Sequence, residues 1–145
     1  METLQFKTEI NVPKTKVWQV LWDDSTYRKW TTAFCEGSYA VSDWNEGDRV
    51  HFLDSTGNGI YSSIDEKIEN TLMSFKHIGN IHNFKEMPLD EETKSWCNSK
   101  ETYHLTTENN QTKLTVTIDA LENYVGFFNE SMPKALEIIK NLSEI

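Results

Sequence analysis

Residues 112–142 read TKLTVTIDALENYVGFFNESMPKALEIIKNL, and a change of period inside this stretch decides the fold. Over 112–121 apolar and polar residues alternate, as on a strand with one buried face. From residue 122 the period changes. Phe128, Met132, Ala135, Leu136, Ile139 and Leu142 recur at three and four residues, which is one stripe of a helix spanning 122–144. Pro133 lies inside that run. It removes one helical hydrogen bond and crowds the preceding turn. The apolar phase continues across it, so a kink is expected rather than a break.

Upstream of this stretch the chain reads as strands. The candidates are 37–43, 48–54, 59–68, 71–79 and 96–107. NEGD at 45–48 and STGNG at 55–59 supply the Gly and Asn that accept positive φ, and ENNQ at 108–111 joins the last two strands. Links this short make antiparallel neighbours. Residues 80–94 stand apart as a long irregular segment, of the kind that is often functional or mobile.

The N-terminal end completes the pattern. Residues 3–10 alternate, with Leu4, Phe6 and Ile10 on one face. Pro13 suits the first turn of a helix, and Val17, Trp18, Leu21 and Trp22 follow at helical spacing. DDST at 23–26 stops that helix and offers caps for a second, short one carrying Tyr27 and Trp30. The order is strand, two short helices, six strands, long helix. That is an α+β arrangement, with a curved seven-stranded antiparallel sheet wrapped around the C-terminal helix. A strongly curved sheet and one helix do not meet everywhere, so an apolar space can remain between them.

Composition narrows the function. The 145 residues suit one domain, spanning 1–145, and 37% of them are hydrophobic. The formal net charge of −9 argues against nucleic acid and anionic membrane surfaces, both of which call for basic patches. No apolar run is long enough for membrane insertion, and METLQFKTEI lacks a signal peptide's apolar stretch. A cytoplasmic protein is the expectation. Cys35 and Cys97 form no motif and are expected as reduced thiols.

The ordered segments carry a resemblance. EINVPKTKVWQVL at 9–21 resembles the opening of START-like helix-grip (SRPBCC) domains, and YRKW at 27–30 their second helix. GDRVHF at 47–52, GNGIYSSIDEKIENTLMSFKH at 57–77 and the 112–142 stretch follow in the expected order. Within that superfamily the chain is most similar to the group named after the activator of the heat-shock-protein-90 ATPase. The resemblance implies the helix-grip fold and a hydrophobic small molecule, lipids included, held between the long helix and the sheet. Some members are cyclases or hydrolases, and some assist chaperones. A chaperone partner is therefore implied by the subgroup alone.

The residues offer no convincing catalytic set. Gly-rich phosphate loops, a Gly-x-Ser-x-Gly elbow and a His-Glu-x-x-His helix are all missing from the chain. Of the histidines (His51, His77, His82 and His104), HIGNIH at 77–82 places two five apart, which is not a metal-ligand spacing. No metal and no cofactor are expected. His77 shares a predicted strand face with Met73 and Phe75. It reads either as a hydrogen-bond partner or base in a cavity, or as a core histidine satisfied by a neighbour. Asp65, Glu66 and Glu69 read as a solvated strand end.

The aromatic residues supply the candidate site. Trp18 and Leu21 are expected to pack the first helix on the sheet. Trp30 and Phe34 are candidates for a cavity wall. Tyr39, Phe52, Phe75 and Tyr103 fall in phase on one face of the strands, and Phe128 and Met132 on the inward stripe of the last helix. With His77 these are the candidate ligand-binding residues. The pattern fits an apolar pocket and also fits plain core packing. The first reading is a binding module for a small apolar molecule. A chaperone-assisting protein and a cyclase- or hydrolase-type enzyme are the alternatives.

Overall fold

The computed structural model describes residues Met1–Ile145. In chain order the elements are β1 (Glu2–Ile10), α1 (Lys14–Trp22), α2 (Asp24–Trp30), a 3-10 turn at Thr31–Ala33, β2 (Tyr39–Val41) and β3 (Arg49–Leu53). They continue with β4 (Gly59–Ile68), β5 (Leu72–His82), β6 (Lys85–Glu86), α3 (Glu91–Lys94), β7 (Lys100–Glu108), β8 (Gln111–Ala120) and α4 (Glu122–Ser143). Seven strands form one antiparallel path in the order β1-β8-β7-β5-β4-β3-β2, and β6 adds an eighth strand beside β5. No helix is long and apolar enough to cross a membrane.

The period change at residue 121 is realised directly. Along β8, Thr112, Leu114, Val116, Ile118 and Ala120 are buried, each separated by a more accessible residue. Met132, Ala135, Leu136 and Ile139 of α4 are buried in the same core cluster as β8. α4 runs unbroken through Pro133. Pro133 and Asn129, whose carbonyl loses its amide partner, both lie on the exposed side of the helix, where water can serve that carbonyl. The buried Ser131 and Ser143 hydroxyls each donate to the carbonyl four residues back, at 2.7 Å.

Four sequence expectations need correcting. Residues 80–94 are irregular only at 87–90. β5 continues to His82, Asn83 and Phe84 turn the chain at positive φ (52° and 68°), β6 pairs back, and α3 follows. The turn lacks the glycine that usually marks such a site. Phe84 tolerates it because its N–H donates to the Gly57 carbonyl at 2.8 Å and its ring covers Gly57, where a Cβ would lie 2.5 Å from the ring. Asp90 caps α3, its Oδ1 accepting from Thr93 N at 2.8 Å. Next, the strand expected at 96–107 starts only at Lys100, because α3 and the turn after it occupy the preceding residues. Finally, Pro13 is the N-cap of α1 rather than a residue of its first turn, and Asp23 caps no helix with its side chain.

Two β-bulges shape the wall of the sheet. Between β4 and β5 the register shifts at Tyr61/Ser62 and again at Ile64/Glu66, leaving Ile78 and Asp65 as the extra residues. A bulge bends its strand and increases the local twist. The one at Ile78 also re-phases β5. Met73, Phe75 and His77 face the helices, whereas Gly79 and Ile81 turn to the outer face against Tyr61.

Glycine separates two kinds of position in this frame. A Cβ at Gly59 would lie 1.8 Å from the Phe52 carbonyl oxygen, so β3 and β4 pair here only because the side chain is missing. Gly126, inside α4, has no atom within 4 Å of its Cβ position. Gly59→Ala is therefore expected to lower unfolding free energy by about 2–4 kcal/mol. Gly126→Ala should raise it by about 0.5–1 kcal/mol through helix propensity. Urea denaturation of the two variants checks both signs.

Candidate functional site

The C-terminal half of α4 is packed down, whereas its N-terminal half is not. Phe127 remains exposed and Phe128 only half-buried. Beneath Phe128 a cavity of about 350 Å³ is bounded by α2 and the 3-10 turn, by β2, β3 and β4, and by the inner face of β5 and β7. Twelve of its nineteen lining residues are hydrophobic, which makes it an apolar space with a few polar groups. A second cavity, of about 310 Å³, lies beyond it and is lined by Trp96, Asp119 and Tyr124 among others. The two share Ile60, His77, Glu101 and Phe128.

Eight of the nine residues singled out from sequence line the first cavity: Trp30, Phe34, Tyr39, Phe52, His77, Tyr103, Phe128 and Met132. Phe75 does not. It is fully buried behind Phe52, in edge-on contact at 5.1 Å, and is a core residue. Trp30 is fixed by its indole N–H, which donates to the Leu21 carbonyl at 3.1 Å, tying α2 to α1. Thr31 Oγ1 donates to the Tyr27 carbonyl at 2.7 Å and closes the end of α2 over the cavity.

The polar groups form one chain. Ser62 Oγ and His77 Nδ1 are 2.7 Å apart, His77 Nε2 lies 3.6 Å from Glu101 Oε1, and the Tyr103 hydroxyl donates to Glu101 Oε2 at 2.6 Å. Burial pushes the Glu101 carboxyl up, but the His77 ring and the Tyr103 hydroxyl outweigh it and hold it below its usual range. Burial first, then the Glu101 charge, push the phenols of Tyr103 and Tyr27 upward, so both stay protonated. Ser62 is fully buried and touches neither cavity, so its hydroxyl has no access to a substrate carbonyl. The Ser–His–Glu order therefore orients His77 and is not an acyl-transfer triad.

Glu101 was not among the residues chosen from sequence. The signal was present: it lies two residues before Tyr103 on the same strand and so shares its face. Ile60 and Phe127 were missed as well. Ile60 follows a turn glycine, and Phe127 falls off the apolar stripe of α4. Asp54, at the rim, is committed to its own turn. Its Oδ1 accepts from Thr56 Oγ1 (2.6 Å), Thr56 N (2.8 Å) and Asn58 N (3.1 Å), which hold the carboxyl low. No lysine or arginine lines either cavity.

No family model matches the chain, and no curated protein matches it. Solved structures do share its fold. The Aha1 dimer from Colwellia psychrerythraea is 20% identical over 100% of this chain and 98% of that one, with a TM-score of 0.76. CalU16 from Micromonospora echinospora is 14% identical over 97% of this chain and 75% of that one, with a TM-score of 0.69. DynU16, a protein in the dynemicin biosynthetic locus, is 12% identical over 97% of this chain and 46% of that one, with a TM-score of 0.65. The fold of this chain, an antiparallel sheet gripping a long C-terminal helix, is shared with these structures.

The Glu101 pair has a pH signature. A carboxyl held below its ordinary value of 4.5 stabilises the fold above that value, and the contribution is lost as pH falls through the folded-state value. Glu101→Gln should therefore destabilise at neutral pH by about 1–2 kcal/mol. The gap between the two proteins should close as pH falls from neutral into the acid range below 4.5. Urea unfolding of both across that range tests it, and a gap that stays constant with pH contradicts it.

Proposed function

We propose that this protein binds a small, largely apolar molecule in the cavity between α4 and the sheet. The observation that carries this reading is the cavity itself. Its volume of about 350 Å³ falls within the usual range for ligand sites, roughly 300–1,000 Å³. Its lining is mostly aromatic and aliphatic, with His77 and Glu101 as the placed polar groups. Trp30, Phe34, Tyr39, Phe52, Tyr103, Phe128 and Met132 are proposed to contact the molecule, with Phe75 supporting Phe52 from behind. DynU16, similar in fold, is a protein in the dynemicin biosynthetic locus, and a biosynthetic setting agrees with the reading.

Two other readings have observations in favour. The His77–Glu101 pair is an acid–base couple inside the cavity, as a cyclase- or hydrolase-type enzyme would need. Assembly or chaperone assistance is favoured by the likeness to the Aha1 dimer and by the exposed Phe84, Met87 and Leu89. Binding ranks above both because it needs only the space and its lining.

The test is one neutral fluorescent probe and one variant. N-phenyl-1-naphthylamine should bind the wild type with a blue-shifted emission and a single site. Met132→Trp puts a larger ring where Met132 faces the cavity. It should weaken the probe at least about tenfold while the melting temperature holds or rises. If the wild type takes up no probe and Met132→Trp loses about 1–3 kcal/mol of stability through overpacking, the rings are core and the binding reading is wrong.

A further inference from the structure

We infer that the molecule bound here carries a hydroxyl group, an alcohol or a phenol and not a carboxylate, that bridges Glu101 Oε1 and His77 Nε2 from the cavity side. The inference rests on the binding reading above and names the chemistry of the polar end of the ligand.

Glu101 provides the first half of the argument. Its side chain is 22% exposed, and it faces the two cavities. One oxygen, Oε2, is taken by the Tyr103 hydroxyl. The other, Oε1, has only His77 Nε2 at 3.6 Å, longer than a formed hydrogen bond. Oε1 is therefore open to a donor arriving from the cavity, which would take the place of solvent there.

His77 provides the second half. Glu101 is ionised at neutral pH and can only accept, so the ring is best placed with its proton on Nε2, facing Oε1. Nδ1 then accepts from Ser62 Oγ, 2.7 Å away. The 3.6 Å gap is thus bordered by an acceptor on one side and a donor on the other. A hydroxyl is a group that matches both, donating to Oε1 and accepting from Nε2. A carboxylate has no proton to give and would meet the Glu101 charge. Neither cavity offers a lysine or arginine to compensate it, and the other acids lining them (Asp54, Glu92 and Asp119) add repulsion.

A matched series measured by calorimetry at neutral pH tests this: naphthalene, 2-naphthol and 2-naphthoate. On the wild type, 2-naphthol should bind at least about tenfold tighter than naphthalene, and 2-naphthoate weaker than naphthalene. Glu101→Gln should shrink the naphthol advantage to under about threefold and improve 2-naphthoate, because the amide donates where the carboxylate could not. The wild-type ranking decides the matter even if that variant folds poorly. If naphthalene binds but 2-naphthol binds no tighter, or 2-naphthoate binds tightest, this inference is wrong and the binding reading stands. If no member of the series binds, the binding reading falls and takes this inference with it.

Discussion

The ring of Trp22 is the wedge on which the arrangement depends. It contacts Trp18, Trp30, Phe75 and Tyr103 edge-on, at 6.1, 6.5, 5.4 and 5.1 Å between centroids, and Trp44 at a tilt, at 5.6 Å. These partners come from both short helices, from the loop before β3, and from β5 and β7. Its indole nitrogen is buried without a hydrogen-bond partner, so packing alone holds it. A ring of this size sets how closely α1 and α2 approach the sheet. α2 in turn carries Tyr27 and Trp30 to the cavity wall. The three tryptophans of α1 and α2 thus divide the work: Trp18 and Trp22 fill, and Trp30 borders the space that remains.

That space persists because the sheet and α4 diverge. The C-terminal half of α4 lies against β1 and shares one buried core with β8. Toward residue 122 the helix reaches the opening between β7 and the β2–β3 side, and Phe128 spans it without closing it. The bulge at Ile78 turns β5 at the same level, so that His77 is the last residue of its inward run. Two of the cavity's polar groups, His77 and Glu101, lie there. Ser62, His77, Glu101 and Tyr103 come from three neighbouring strands; Ser62 holds His77 and Tyr103 holds Glu101, with 3.6 Å between the two pairs. An apolar chamber with one oriented polar point suits recognition of a molecule that is apolar along most of its length.

Much of this was legible in the sequence, and the missing parts have physical reasons. The shift from period two to period three-and-four near residue 121 gave both β8 and α4. Aromatic residues in phase on the strands gave three of the nineteen lining residues, Tyr39, Phe52 and Tyr103. Phase alone did not separate Phe75 from Phe52, because both face inward; only the third dimension shows which stands in front. The β5–β6 turn went unread because Asn83 and Phe84 adopt positive φ without glycine, held by a contact to Gly57 that is distant in sequence. Glu101 was overlooked because an acidic residue on a half-buried face reads as solvated. Its counterpart at His77 comes from β5, paired with β7 twenty-four residues away in sequence, and no local pattern reveals it.

The account's central claim is that the space under Phe128 is a standing apolar cavity, held open by the wedge of rings behind it. Crystals of the protein under xenon pressure test this most directly, because xenon enters dry apolar cavities without needing a specific contact. The account predicts xenon density between Trp30, Phe128 and Met132, with those side chains unmoved. Rings from α4 and α2 closed onto the sheet, with no xenon among them, would contradict it.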